Sequence, residues 1–553
     1  MKLGGYHRLT RVVTITLAAG ALASTVLAAP SLSQPGQDIR EQEPKSAADV
    51  QNVAPDRPVE GQEVHFTVRA IDLDAPDLKV NRTALAKILE PCLNKEITLA
   101  ELNTVIDEVT RYCRTHGYPA AAAYLPAQDS ADGTVKVEVI PGRYDEVIIE
   151  NHSRLKDDVA RGFLNGLKKG SIIETSSLET ALYGISGLSG TKAVGVLSPG
   201  SEFGTSNLKV RIEEGKISNT VLYVENYGST SSGRYRYGIQ ETLYDVEGRG
   251  DKLSVGALLS NHNMHNYYVN YEALVGHGGA TLGLGFSRMD YQLGKVAAAL
   301  GANGTANTIS LFGSTPLYHL SNRELKVTYG FDYRMMKDDL DRFPDANREK
   351  SSHSFHVGVA GSERQPGAAL SYDATVTVGR VNLDSKTTFG KMLDEMSGTE
   401  RTFAKAAVNV TGVQALGHVT DVTLKLQGQT ANGRLDSSEQ MYLGGANGVR
   451  AYPQGEASGD TGFLGSLELR YHTPLRGLTF SSFFDIGTVR MSKGYELTDN
   501  YATLRGWGLA AAYSNPGEWF ARVDYARRIG LDSTVSPRNN AQNRIWFMAG
   551  KIW

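Results

Sequence analysis

From residue 217 onward the chain alternates apolar and polar residues with a period of two. Tyr235, Tyr237 and Ile239 fall on one face of such a segment, and Arg234, Arg236 and Gln240 on the other. Leu282, Leu284 and Phe286 oppose Thr281, Gly283, Gly285 and Ser287 in the same way. Leu325, Val327, Phe331 and Tyr333 oppose Glu324, Lys326, Asp332 and Arg334. Successive side chains of a strand point to opposite faces, so each segment predicts a strand with one apolar and one polar side. Charged residues recur on the polar side along whole strands. In a soluble sandwich that side meets outside water; in a membrane barrel it lines a wet lumen. About sixteen segments have the ~10-residue length of a spanning strand. An even count closes a barrel with both chain ends on one side of the membrane.

Residues 64–216 read differently. Residues 64–141 run strand, helix, helix, strand, strand. Residues 64–68 alternate as a strand, and Leu85, Ile88 and Leu89 mark one helical face. Thr98 and Glu101 form a capping-box pair ahead of the stripe Leu102, Val105, Ile106 and Val109. Residues 121–125 and 134–140 are strands around the Asp132-Gly133 turn. Residues 142–216 repeat the theme: strand 147–149, helices 157–167 and 177–186, the latter opened by Ser176-Ser177-Leu178-Glu179, then strands 195–197 and 208–213. A unit repeated with little identity predicts two tandem docking modules.

Composition sharpens this picture at a few points. Hydrophobic content is 41%, and past the N-terminus no apolar run reaches the ~18 residues of a spanning helix. Glycine (59) and tyrosine (26, against 16 phenylalanines) are abundant and suit a barrel. Lys+Arg 57 against Asp+Glu 60 leaves no basic field for nucleic acid. Residues 1–28 combine Lys2, Arg8 and Arg11 with an apolar stretch and small residues, which predicts a secretory signal peptide. Residues 29–63 are a proline-spotted linker, with a short helix possible at 39–52. Export places Cys92 and Cys113 in an oxidising compartment, where a disulfide is expected and two buried free thiols are the alternative. His65, His116 and His152 lack ligand spacing, so no metal or other cofactor is expected. No nucleophile triad or phosphate loop is present, so no catalytic residue is assigned. The aromatic end of the last segment, Trp553, suits recognition by a barrel-insertion machine; an apolar strand pairing with the first is the plainer reading.

Several motifs then resemble one family. Gly117-Tyr118-Pro119, Leu125-Pro126-Ala127-Gln128 and Val139-Ile140-Pro141-Gly142-Arg143 look like a first POTRA domain, and Leu197-Ser198-Pro199-Gly200 with Leu208-Lys209-Val210 like a second. Gly448-Val449-Arg450-Ala451-Tyr452-Pro453 lies between the eleventh and twelfth strands, in the sixth outer loop. Phe483-Phe484-Asp485-Ile486-Gly487 lies on the next strand pair. Together they resemble the two-partner secretion transporters, the haemolysin-activator group of the POTRA-plus-barrel superfamily. Two departures are Ser189-Gly190 for a proline-glycine pair and Ala451 for the glycine of a Val-Arg-Gly-Tyr/Phe motif. The resemblance implies a signal peptide (1–28), a linker with a plug helix (29–63), POTRA domains at 64–141 and 142–216, and an outer-membrane barrel at 217–553. It implies that the loop folds into the barrel and that Arg450 meets Asp485, supported by Val449, Tyr452, Pro453, Phe483 and Gly487. It implies a large secreted exoprotein as partner, captured unfolded in the periplasm, with barrel-assembly machinery and outer-membrane lipid as further partners. An assembly factor for other barrels, a solute porin and a soluble β-rich surface protein remain the rivals.

Overall fold

The computed structural model describes residues 51–52, 65–128, 132–188, 190–294, 297–399, 401–491, 500–515, 518–530 and 541–553. The alternating segments close into one antiparallel barrel of sixteen strands. In order these are Ser218–Glu225, Arg236–Tyr244, Lys252–Ser260, His265–Val275, Ala280–Gln292, Ala302–His319, Arg323–Leu340, Arg348–Gln365, Ala368–Leu383, Thr402–Ala415, Thr420–Ala431, Thr461–His472, Leu478–Arg490, Tyr501–Ser514, Trp519–Arg528 and Asn543–Ile552. Strand 1 pairs with strand 16 from Val221 opposite Ile552 to Glu225 opposite Met548. Closure satisfies every strand edge internally, which a lipid environment demands.

The faces separate as the alternation requires. Leu284, Phe286, Ile309, Leu311, Phe355, Val357, Leu467, Leu469, Trp507 and Leu509 are exposed on the outer wall. A continuous exposed apolar belt of this kind belongs against lipid. No helix among the described residues is long and apolar enough to cross a membrane. The links on one barrel end are short, as at residues 245–251, 276–279 and 473–477. Those on the other end are mostly longer, residues 261–264 excepted, and the sixth, residues 432–460, is the longest.

Two α/β modules precede the barrel. In the first, Ala70–Asp74 pairs in parallel with Thr134–Ile140, which pairs antiparallel with Ala122–Tyr124. In the second, Arg143–His152 pairs in parallel with Thr205–Glu214, which pairs antiparallel with Thr191–Pro199. Each module packs two helices on its sheet: Arg82–Leu89 and Leu99–Thr115, then Asp157–Leu164 and Thr175–Ser186. The capping box at Leu99–Thr115 is formed, with the Glu101 N–H donating to Thr98 Oγ1 (3.2 Å) and the Thr98 N–H to Glu101 Oε2 (2.8 Å). Leu102, Ile106, Val109 and Cys113 are that helix's buried stripe. The second module sits on the short-turn end of the barrel. The Lys156 N–H donates to Gly248 O (2.8 Å), the Ser321 N–H to Glu179 (3.2 Å), and the Tyr183 and His319 rings stack 5.6 Å apart.

Four local expectations need correction or placement. His65–Val68 pairs with Lys95–Thr98 in a separate ribbon, and Ala70–Asp74 supplies the first strand of the main sheet. Helix Thr175–Ser186 opens at Glu174 without a side-chain cap, so Ser176 is already inside it. Cys92 and Cys113 are free thiols, which corrects the expected disulfide. Both fill volume in the first module's apolar core beside Leu89, Ile106 and Val109, as small hydrophobes do. Residues 39–50 of the expected helix, the signal peptide and Ser189 lie outside the described residues. Gln51–Asn52 is a strand, paired in parallel with Val196 and Leu197 at the edge of the second module's sheet.

Candidate functional site: an arginine cluster inside the barrel

Residues 432–460 fold back into the lumen. Met441–Tyr442 and Ser458–Gly459 pair as a small hairpin, and the Leu443 N–H donates to Ala457 O (2.9 Å). The tip then turns sharply, with the Val449 N–H on Leu443 O (2.7 Å) and the Tyr452 N–H on Val449 O (3.1 Å). Gly445 at φ +132° occupies backbone space that a side chain would strain. Pro453 supplies the carbonyl for the next turn, accepting from the Glu456 N–H (3.2 Å). This folding delivers Arg450 to the inner wall with 8% of its side chain exposed.

Strand 13 receives it. Period two sends Phe483, Asp485 and Gly487 inward together and Phe484 outward, where it is 40% exposed. Each inward residue has a separate task. Phe483 is a platform: the Arg450 guanidinium carbon lies 3.2 Å from its ring centroid, an electrostatically favourable stack. Asp485, fully buried, accepts the Arg450 Nε (2.9 Å) and Nη2 (2.8 Å) as a two-point fork, and also the Arg450 backbone N–H (3.1 Å). Gly487 leaves room: a Cβ there would stand 2.8 Å from Leu443 Cδ2 of the loop. The inward residues of the F-x-D-x-G segment are thus platform, acceptor and clearance.

The cluster extends beyond these two motifs. Arg450 Nη1 donates to Asp524 Oδ1 (3.0 Å) and Glu468 Oε2 (3.2 Å), and Nη2 to Ser466 Oγ (3.1 Å). Arg522 offsets one of the two surplus negative charges, pairing with Glu468 (3.0 Å) and Asp524 (2.8 Å). Trp546 Nε1–H donates to the Arg450 carbonyl (2.6 Å). Tyr452 is buried beneath Arg528, whose guanidinium carbon stands 4.4 Å from its ring centroid. Val449 and Ala451, both fully buried, pack with Leu443, Leu464 and Leu504. The alanine that replaces the resembled glycine has its own accommodation, because a Cβ on Gly506 of strand 14 would lie 2.6 Å from Ala451 Cβ.

The structure therefore brings together Arg450, Asp485, Val449, Tyr452, Phe483 and Gly487. Glu468, Asp524, Arg522, Ser466 and Trp546 were not singled out from sequence. Alternation carried the signal for Glu468 and Asp524, which fall on the inward side of their strands. Cys92 and Cys113 sit far along the chain in the first module and take no part. Trp553 is half-exposed; its N–H donates to Thr220 O (3.0 Å) and Lys551 Nζ stands 4.8 Å from its ring centroid.

Residues 204–512 match the family described as haemolysin secretion/activation protein ShlB/FhaC/HecB, and residues 66–142 match a POTRA domain of ShlB type. The chain is 26% identical over 497 residues to the heme/hemopexin transporter protein HuxB of Haemophilus influenzae, covering 88% of this chain and 87% of that protein. It is 22% identical to the outer membrane transporter CdiB of Dickeya dadantii, covering 83% of this chain and 81% of that protein. The fold is that of CdiB from Escherichia coli, at a TM-score of 0.69, 17% identity and 98% coverage of both chains.

Proposed function

The chain belongs to the haemolysin secretion/activation family and is an outer-membrane transporter that exports a partner exoprotein by two-partner secretion; from that premise we propose how its parts divide the work. The two modules capture the unfolded cargo in the periplasm, where extended chain adds to exposed strand edges. The inward loop closes the channel at rest, and Arg450 on Asp485 is its lock. The observation that carries this reading is the fully buried Asp485 fork on an arginine delivered from a loop. A bidentate guanidinium–carboxylate pair fixes both position and orientation, so it can pin a long segment against a wall. The cargo is a large protein linked to haem or haemopexin, a reading supported by the similarity to HuxB. Transport needs no cofactor and no catalytic residue of this chain, and the strand ending near Trp553 is the part read by barrel-assembly machinery during insertion.

Quantitative proteomics of culture supernatant and outer membrane tests this in three strains: parent, deletion and Arg450→Ala at matched expression. Loss of one or two large secreted proteins from the deletion supernatant, with other barrels unchanged, is the expected result. A broad fall in many outer-membrane barrels would assign an assembly role instead.

A further inference from the structure

The arginine is only one of the loop's attachments. Earlier in the same loop, Leu435 is buried among Val381, Phe403 and Ala431 of strands 9, 10 and 11. Both carboxylate oxygens of Asp436 then accept from Lys350 Nζ of strand 8, at 3.0 and 2.9 Å. It also accepts the Ser438 N–H (3.0 Å) and Oγ–H (2.7 Å), which closes the short turn Ser437–Glu439. Glu439 pairs with Lys405 of strand 10 (2.8 Å) and Arg334 of strand 7 (3.4 Å). Its carbonyl accepts from Lys405 Nζ (3.0 Å) and from Gln429 Nε2 (3.1 Å). Lys350, Asp436 and Glu439 side chains are 7%, 6% and 8% exposed, so this is a buried ion-pair group.

Its polarity is the reverse of the arginine end. At 436–439 the loop offers carboxylates and the wall offers Lys350, Lys405 and Arg334. At 450 the loop offers a guanidinium and the wall offers Asp485, Glu468 and Asp524. The two ends engage different sectors, strands 7–10 and strands 12–15. A loop that slid along the wall or exchanged its ends would set carboxylate on carboxylate and guanidinium on ammonium. Such like-charge contacts are costly where water is scarce, and they discriminate against the wrong seating.

We infer that the inward loop is held by a two-ended latch of opposite polarity, in which Lys350 and Asp436 are positioning residues that seat the acidic end independently of Arg450. Removal of either end alone loosens the loop without freeing it, and cargo passage requires both to release. Two separate anchors also let the loop leave in steps, each step breaking one buried group while the other still holds. The inference rests on the loop being the channel's closure, but its test reads loop position with no cargo present, so failure of the secretion reading would leave the result standing.

The test uses the full-length protein in intact cells carrying Ser437→Cys, labelled from outside by a membrane-impermeant maleimide. Lys350→Asp and Asp436→Lys are compared singly, together, and beside Lys350→Arg. Each single reversal is expected to raise the labelling rate about tenfold, equivalent to ~1.4 kcal/mol of loosened seating. The double reversal and Lys350→Arg are expected to return within about twofold of the parent. Lys350→Asp with Arg450→Ala is expected to exceed either alone. Heat-modifiable migration confirms the folded barrel in each case. If a single reversal does not fold, Lys350→Met and its pairing with Asp436→Leu take its place, with the same reading. Parental labelling in folded single variants would overturn the latch. So would a folded double variant that labels as fast as the singles.

Discussion

Replacing Arg450 separates the contribution of its charge from that of its shape. Arg450→Ala removes the fork on Asp485 together with the bonds to Glu468 and Asp524. Those last two keep Arg522, at 3.0 and 2.8 Å. Asp485 keeps only Ser466 Oγ–H (2.8 Å) and a backbone N–H (3.1 Å) while remaining in a site with no exposure. An uncompensated buried carboxylate costs ~3–5 kcal/mol, and ~3 kcal/mol is already about 150-fold in the balance between seated and released loop. Arg450→Lys keeps the charge but has three donors on one nitrogen, so it cannot fork on Asp485 while also reaching Asp524 and Glu468. Losing two charge-assisted bonds, partly replaced by lumen water, costs roughly 2 kcal/mol, or about 30-fold. Single-channel recording in planar bilayers reads the open fraction directly. The expected order is Arg450→Ala above Arg450→Lys above parent, with Asp485→Asn also above parent. Folded Arg450→Ala protein with the parent's open fraction would refute the reasoning.

Three further outcomes follow from other parts of the molecule. Gly506→Ala should displace the loop tip and raise the open fraction, because its Cβ would lie 2.6 Å from Ala451 Cβ; adding Ala451→Gly should restore closure, and absence of rescue would contradict the packing. Thiol titration without reductant should find two free thiols after denaturation and slow reaction before it, since burial raises the pKa of both Cys92 and Cys113 and keeps them protonated; no free thiol in the denatured protein would restore the disulfide. Asp145 of the second module is held below the usual carboxylate range by Lys169 Nζ (2.7 Å), then by Ser201 Oγ and N–H (2.5 and 2.7 Å). A depressed folded pKa gives stability that is present above the ordinary value near ~4 and lost as pH falls below it. Asp145→Asn should therefore lower melting temperature at neutral pH and narrow the gap to parent in acid, whereas a constant gap would contradict the assignment.

The barrel was legible in the sequence because lipid imposes a strict rule on one face of each strand. Leu284 and Phe286 must face outward, and that choice fixes their neighbours. The arginine end was legible through the same alternation, which sends Asp485 inward, together with the family resemblance. The acidic end was not. Asp436 and Glu439 lie in a stretch with no periodicity, and Lys350 reaches Asp436 across 86 positions of chain. Ala70–Asp74 escaped notice because it is short and only half-buried, so it lacks a clean apolar face. The cysteines misled because an oxidising compartment permits a disulfide but does not position two sulfur atoms.

The central claim is that the exported protein passes through the barrel's interior. Site-specific photocrosslinking in secreting cells tests it on two adjacent residues of strand 6. Ser310 points into the lumen, where its hydroxyl donates to Asp332 (2.5 Å), and Leu311 is 41% exposed on the outer wall. A photoreactive residue at Ser310 should yield an adduct with a large secreted protein, and one at Leu311 should not. Secretion that proceeds with no adduct from Ser310, or with equal adduct from both positions, would contradict passage through the lumen.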